Sequence, residues 1–124
     1  MKNKMAQSFQ DLVVWQRAME MTVSVYRVTK SFPREEIYGL TSQLRRAAVS
    51  VASNIAEGRG RITQGEFRQF LGLAQGSSFE VQTQILVAKQ LEMGQEKRLD
   101  EAQSLSIEDG KMLSSLIASL GAKS

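Results

Sequence analysis

The sequence contains no cysteine and no histidine. The first absence excludes a disulfide framework and thiol chemistry. The second removes the commonest general base and the commonest metal ligand, so Ser-His and Cys-His nucleophilic pairs are both excluded. A helical di-iron centre built on Glu-x-x-His motifs is excluded for the same reason. There is one proline, and aromatic residues make up 6% of the chain. No window reaches the roughly 18 consecutive apolar residues of a membrane span, and the start, "MKNKMAQSFQD", has no apolar run of signal-peptide length. These absences predict a cytoplasmic protein with no membrane association, no metal and no cofactor. What remains is rich in Leu, Ala, Gln and Ser, a helix-forming composition. The chain has 124 residues, one domain's length, and carries a net charge of +3 with a pI near 9.4. That balance permits a polyanionic partner without demanding one.

Apolar residues recur at helical spacing in four segments. The first is expected over Asp11–Ser31, with Leu12, Trp15, Met19, Thr22, Tyr26 and Thr29 inward and Gln16, Glu20, Ser24 and Arg27 outward. Pro33 stops it, because the residue before a proline is pushed out of helical geometry. The second runs over Leu40–Glu57, with Leu40, Leu44, Ala47, Ala48, Val51 and Ile55 on one face and Gly58 and Gly60 ending it. Thr63 with Glu66 reads as a capping box opening a third helix over Gln64–Glu92. Its stripe is Phe67, Phe70, Leu71, Ala74, Ser78, Val81, Ile85 and Ala88. Met93 and Gly94 turn the chain into a fourth helix over Glu96–Leu120, with Leu99, Ala102, Leu105, Met112, Leu113, Leu116 and Leu120 inward and Gly110 weakening its middle. Short connections favour antiparallel neighbours. The fold predicted is all-α, an up-down-up-down antiparallel four-helix bundle over residues 9–121, with a flexible N-terminus over residues 1–8 and the last four residues frayed.

A bundle helix should wet its outer stripe with charge. The first helix follows that rule, whereas the second and third do not. Opposite the core of the second lie Ser42, Arg46, Val49, Ser50 and Ser53, and no charge occurs between Arg46 and Glu57. Opposite the core of the third lie Gly72, Gly76, Phe79, Thr83 and Val87, flanked by Leu73 and Leu86. Glu80 is the only charge from Gln69 to Gln84. Each mid-helix glycine costs about 1 kcal/mol relative to alanine, so something should offset Gly72 and Gly76. Exposed apolar residues are individually ordinary, but the same anomaly on two consecutive helices points to an interface with another subunit. The candidate interface is Arg46, Val49, Ser50, Ser53, Gly72, Gly76, Phe79 and Thr83.

The arginines are the remaining chemistry. Arg45 and Arg46 are adjacent on the second helix, Arg59 and Arg61 lie on its glycine-rich exit, and Arg68 opens the third helix. All five can gather near the second helix and its exit loop. Arginine binds phosphate bidentately where lysine does not, and Arg outnumbers Lys here. "GRGR" is not a phosphate loop, since it lacks the lysine and the preceding strand. No aromatic platform for single strands is evident. The alternative use of Arg45 and Arg46 is in salt bridges to Glu57, Glu66 or Glu80, and Glu57 has Arg59, Arg61 and Arg45 as candidate partners. Any nucleic-acid binding should therefore be weakly sequence-specific and salt-sensitive.

"FQDLVVWQRAM", "YGLTSQLRRAAVSVASNIAEGRGR" and "EFRQFLGLAQGSSFEVQTQILVAKQL" together resemble the 23S rRNA intervening-sequence protein family. The resemblance covers about Phe9 to Leu120. "LTSQLRRAAVSVASNIAEG" is its most specific part, and the fourth helix is generic. Relatives often carry a bulkier residue where Ser78 or Ser53 stands. The resemblance implies a bacterial four-helix bundle assembled as a homopentameric ring, in a family whose molecular activity is not settled. A related accessory protein of diversity-generating retroelements binds nucleic acid and a reverse transcriptase. Five copies at +3 would carry about +15. The function expected is a non-enzymatic, ring-forming protein that binds nucleic acid, RNA above DNA, through Arg45, Arg46, Arg59, Arg61 and Arg68. The alternative is a protein-interaction scaffold, for instance for a polymerase, with no direct nucleic-acid role.

Overall fold

The computed structural model describes residues 8–122. Residues 1–7 of the expected flexible N-terminus, and Lys123 and Ser124 of the expected frayed end, lie outside them. At the start of the described chain, the Ser8 hydroxyl accepts from the Gln10 amide and the Ser8 amide donates to Asp11, capping a 3-10 turn over Phe9–Asp11. Four α-helices follow: α1 (Val13–Thr29), α2 (Leu40–Arg59), α3 (Gln64–Gln90) and α4 (Glu96–Ala122). No strand occurs among the described residues. No helix among them is long and apolar enough to cross a membrane.

The helices form a square. α1 packs on α2 and α4, α3 packs on the same two, and neither diagonal pair meets. Core residues include Val14, Met21, Val25, Leu44, Val51, Ile55, Leu71, Val81, Ile85 and Leu113. The expected stripes of α2 and α3 are the buried ones apart from Leu40, Phe67 and Phe70, which are half-buried. That of α1 is only partly so: Thr29 is buried as expected, but the rest of the buried side is Val14, Ala18, Met21, Ser24, Val25 and Val28, whereas Met19 and Tyr26 face outward with Val23. Ser24 thus reverses its expected side. The error is about one residue, or roughly 100° of helix. α1 is apolar at so many positions that two overlapping stripes fit, and contacts with neighbours decide between them. Thr22 donates to the Ala48 carbonyl on α2 at 3.1 Å, and Ser24 to Glu101 on α4 at 3.4 Å. These two bonds lie on opposite flanks and aim the arc between them at the core.

Turns and close approaches explain three glycines. Gly58 does not end α2; it lies inside the helix, where a Cβ would come 2.6 Å from Phe70 Cβ. α2 runs two residues further than expected, to Arg59, with Gly60 as its cap. Thr63 and Glu66 form the expected capping box on α3. Glu92 and Gly94, at φ 54° and 75°, reverse the chain between α3 and α4. A side chain on Gly94 would also strike the Phe32 ring at 2.8 Å, so the α3–α4 turn closes over the connector that follows α1. Gly110, expected only to weaken α4, admits close packing: a Cβ there would stand 3.0 Å from Gln82 Nε2 and 3.3 Å from Ser78 Oγ.

Candidate subunit and nucleic-acid interfaces

The second faces of α2 and α3 lie on the outside of the bundle. Arg46, Val49, Ser53, Gly72, Gly76, Phe79 and Thr83 are exposed, with Phe79, Leu73 and Leu86 each half uncovered. Ser50 differs. Its hydroxyl stands 2.9 Å from that of Ser77 on α3, and Asn54 donates to its carbonyl and its Oγ. Ser50 therefore joins α2 to α3 within the subunit, leaving it half-buried. At Gly72 and at Gly76 a Cβ would meet nothing within 4 Å. Neither glycine is required by packing inside the chain, so their cost of about 1 kcal/mol each has no internal offset. α1 adds an exposed apolar strip that sequence reading missed: Met19, Val23 and Tyr26, with Val13 near the helix start. Its signal was the second of the two overlapping stripes.

The five arginines do not gather. Arg45 and Arg46 lie near the start of α2, roughly 20 Å from Arg59 at about 1.5 Å per residue. Arg45 donates through Nε to Thr29 Oγ1 at 2.8 Å, and its guanidinium lies 4.5 Å from the centroid of the Tyr26 ring. Arg46 is exposed and has no hydrogen bond or ion pair among the described residues. At the far end, Arg61 pairs with Glu57 at 3.1 Å and stacks over Phe70 at 4.5 Å. Of the expected partners of Glu57, Arg61 is the one the fold selects. Arg59 makes no hydrogen bond or ion pair among the described residues. Arg68 donates to the Ile117 carbonyl on α4 at 3.1 Å. Glu66, a candidate salt-bridge acid, is held by Thr63 in the cap. Ile62, 98% exposed, stands at the tip between Arg61 and α3.

One buried group was missed. Asp109 on α4 is fully buried, and neither carboxylate oxygen has a hydrogen-bond partner among the described residues. Burial pushes its pKa up from 3.8 to about 7, and the neighbouring charge of Glu108 adds to the rise. Arg17 bonds Glu20 and the neighbouring Glu108 rather than Asp109. The spacing of Leu99, Ala102, Ser106, Asp109 and Leu113 carried the signal, since these residues share one helical stripe. The expected stripe shared Leu99, Ala102 and Leu113 with it, but took Leu105 and Met112, which are only partly buried, in place of Ser106 and Asp109.

None of the curated proteins matches the chain. Among solved structures, a protein of unknown function from the S23 ribosomal protein family of Bacteroides thetaiotaomicron superposes with a TM-score of 0.77 at 22% identity. The match covers 85% of this chain and 98% of that one, and it bears on the fold alone. The family model described as 23S rRNA-intervening sequence protein matches residues 10–115. With that match reaching into all four helices, the chain belongs to the 23S rRNA-intervening sequence protein family.

Proposed function

We propose that this protein is a non-enzymatic, ring-forming nucleic-acid-binding protein of the bacterial cytoplasm. Its subunits assemble as a homopentamer and bind RNA through the arginines around the α2–α3 turn. The observation that carries the binding is the placement of Arg59, Arg61 and Arg68 at one end of the bundle, only Arg61 being matched by a carboxylate. Arg59 has no side-chain partner among the described residues and can take a phosphate, and Arg61 and Arg68 each donate one hydrogen bond that leaves further N–H donors unused. Arg45 and Arg46 stand too far along α2 to support the same contact. The lack of histidine and cysteine supports the non-enzymatic reading. The uncharged faces of α2 and α3, with glycines that no internal packing requires, support assembly.

RNA binding is tested with Arg59→Ala/Arg61→Ala over a range of salt concentrations. For every phosphate no longer neutralised, the slope of log affinity against log salt should flatten by about 0.7 on single strands. Binding should weaken evenly across sequences, and oligomer size should stay the same. Equal affinity of variant and parent at every salt concentration would remove the phosphate role. The scaffold reading then takes its place, with the ring presenting surfaces to a protein such as a polymerase. That second reading is favoured by the Arg61–Glu57 pair and by the packing of Arg61 on Phe70, which give Arg61 a structural use.

A further inference from the structure

Among the surface groups without a charged partner in the described residues, two arginines and one glutamate stand at one height on the bundle. Arg45 is pre-positioned by its bond to Thr29 and its stacking on Tyr26. That arrangement uses one of five N–H donors and leaves both terminal amino groups without a partner among the described residues. Arg46, beside it, uses none. Both line an open groove of about 640 Å3 between α1 and α2. Ile37 and Val49 supply its apolar wall, and no carboxylate lines it. The groove thus presents guanidinium donors, those of Arg45 held in place, and no carboxylate.

The acid is on α3. Glu80 is the only charged residue from Gln69 to Ala88, and it is exposed among Gly76, Phe79 and Thr83. It makes no hydrogen bond or ion pair among the described residues. The Ser50–Ser77 contact at 2.9 Å sets the register of antiparallel α2 and α3. One turn further, Arg46 on α2 is level with Glu80 and Val81 on α3. The groove opens between α1 and α2, whereas Glu80 faces outward from α3, which does not touch α1. The two sites therefore point in different directions from one subunit. A rotation about an axis parallel to the bundle brings residues of equal height on neighbouring copies together.

We infer that Glu80 of one copy enters the α1–α2 groove of the next and accepts hydrogen bonds from Arg45 and Arg46. The inference rests on the homo-oligomer reading above and specifies its contact. The contact is head-to-tail, and repetition at equal height about an axis parallel to the bundle forms a ring when the rotation closes. Phe79 meets the apolar wall of the groove, and Gly76 gives the neighbouring α2 room to approach, since nothing lies within 4 Å of its missing Cβ. Guanidinium–carboxylate bonding orients the pair and fixes its register. It also assigns Arg45 and Arg46 to assembly, leaving the arginines at the α2–α3 turn for nucleic acid.

Charge reversal tests this on the full chain. Light scattering coupled to gel filtration reads the mass of the parent, Glu80→Arg, Arg46→Glu and the double variant, and circular dichroism checks helicity. Both positions are solvent-facing in the single subunit, so helicity should be retained. Each single variant should raise the dissociation constant by about a hundredfold or more, because like charges are brought together in a contact. The double variant should recover much of the assembly, and Glu80→Gln should weaken it less than Glu80→Arg. A parent that is monomeric at micromolar concentration overturns the oligomer reading, and this inference with it. A parent that assembles, with both single variants assembling equally well, overturns this contact alone. Loss of assembly in both single variants without recovery in the double also overturns the pairing.

Discussion

Asp109 is a carboxyl group placed in the core with no hydrogen-bond partner among the described residues, and replacing it by asparagine gives a sharp test of what that costs. In the unfolded chain Asp109 titrates at its ordinary value of 3.8; in the native bundle burial raises this to about 7. Between those two values the unfolded state has released the proton and the native state still holds it. Stability from this group is therefore intact at low pH and is lost as pH rises, by about 1.4 kcal/mol per pH unit across the window. Above neutrality the accumulated loss is about 4 kcal/mol, a large share of the roughly 5–15 kcal/mol typical of a domain. Between pH 5 and pH 8 the expected fall is about 2–3 kcal/mol. Urea unfolding at fixed protein concentration should show it as a midpoint lower by roughly 1 M at pH 8, for an m-value of about 2 kcal/mol/M. Asp109→Asn removes the titration whatever its effect on absolute stability, so its midpoint should change far less over the same range. Exposed carboxylates contribute equally to both proteins and cancel in the comparison. Parallel pH profiles for parent and variant would refute the reasoning, and would mean that Asp109 finds a compensating partner or water in the native state.

A Gly76→Glu or Ser53→Glu change should reduce the oligomer to the 13.8 kDa chain in light scattering while sparing helicity, because it drives a long side chain into a close helix approach. Gly58→Ala should destabilise by about 1–3 kcal/mol in urea unfolding, since the added methyl lands 2.6 Å from Phe70 Cβ in a packed helix crossing. Thr63→Ala, which removes the hydroxyl of the α3 capping box, should cost about 1 kcal/mol by the same measurement. Chelators should leave the melting temperature unchanged; a drop of several degrees with EDTA would reveal a carboxylate metal site.

The fold was legible wherever a pattern of residues had a single physical reading. α2 and α3 each carry one apolar stripe at helical spacing, and those stripes are the buried faces. The Thr63–Glu66 box and Gly94 mark their turns through local hydrogen bonding and local backbone geometry, which neighbouring residues alone dictate. Where two readings competed, only packing chose. α1 has apolar residues around most of its circumference, and its rotation depends on the Thr22 and Ser24 bonds to other helices. Gly58 and Gly110 look like breakers in the sequence but are contact points, because what they avoid lies on a different helix. Charge placement followed the same division. The sequence determined which faces lack charge and that Glu80 stands alone on one of them. Distance along a helix separated Arg45 and Arg46 from Arg59, and side-chain partners far away in sequence decided which guanidinium groups keep donors to spare. Asp109 is the extreme case: its helical position was readable, but its burial without a partner among the described residues exists only once α4 packs against α1 and α3.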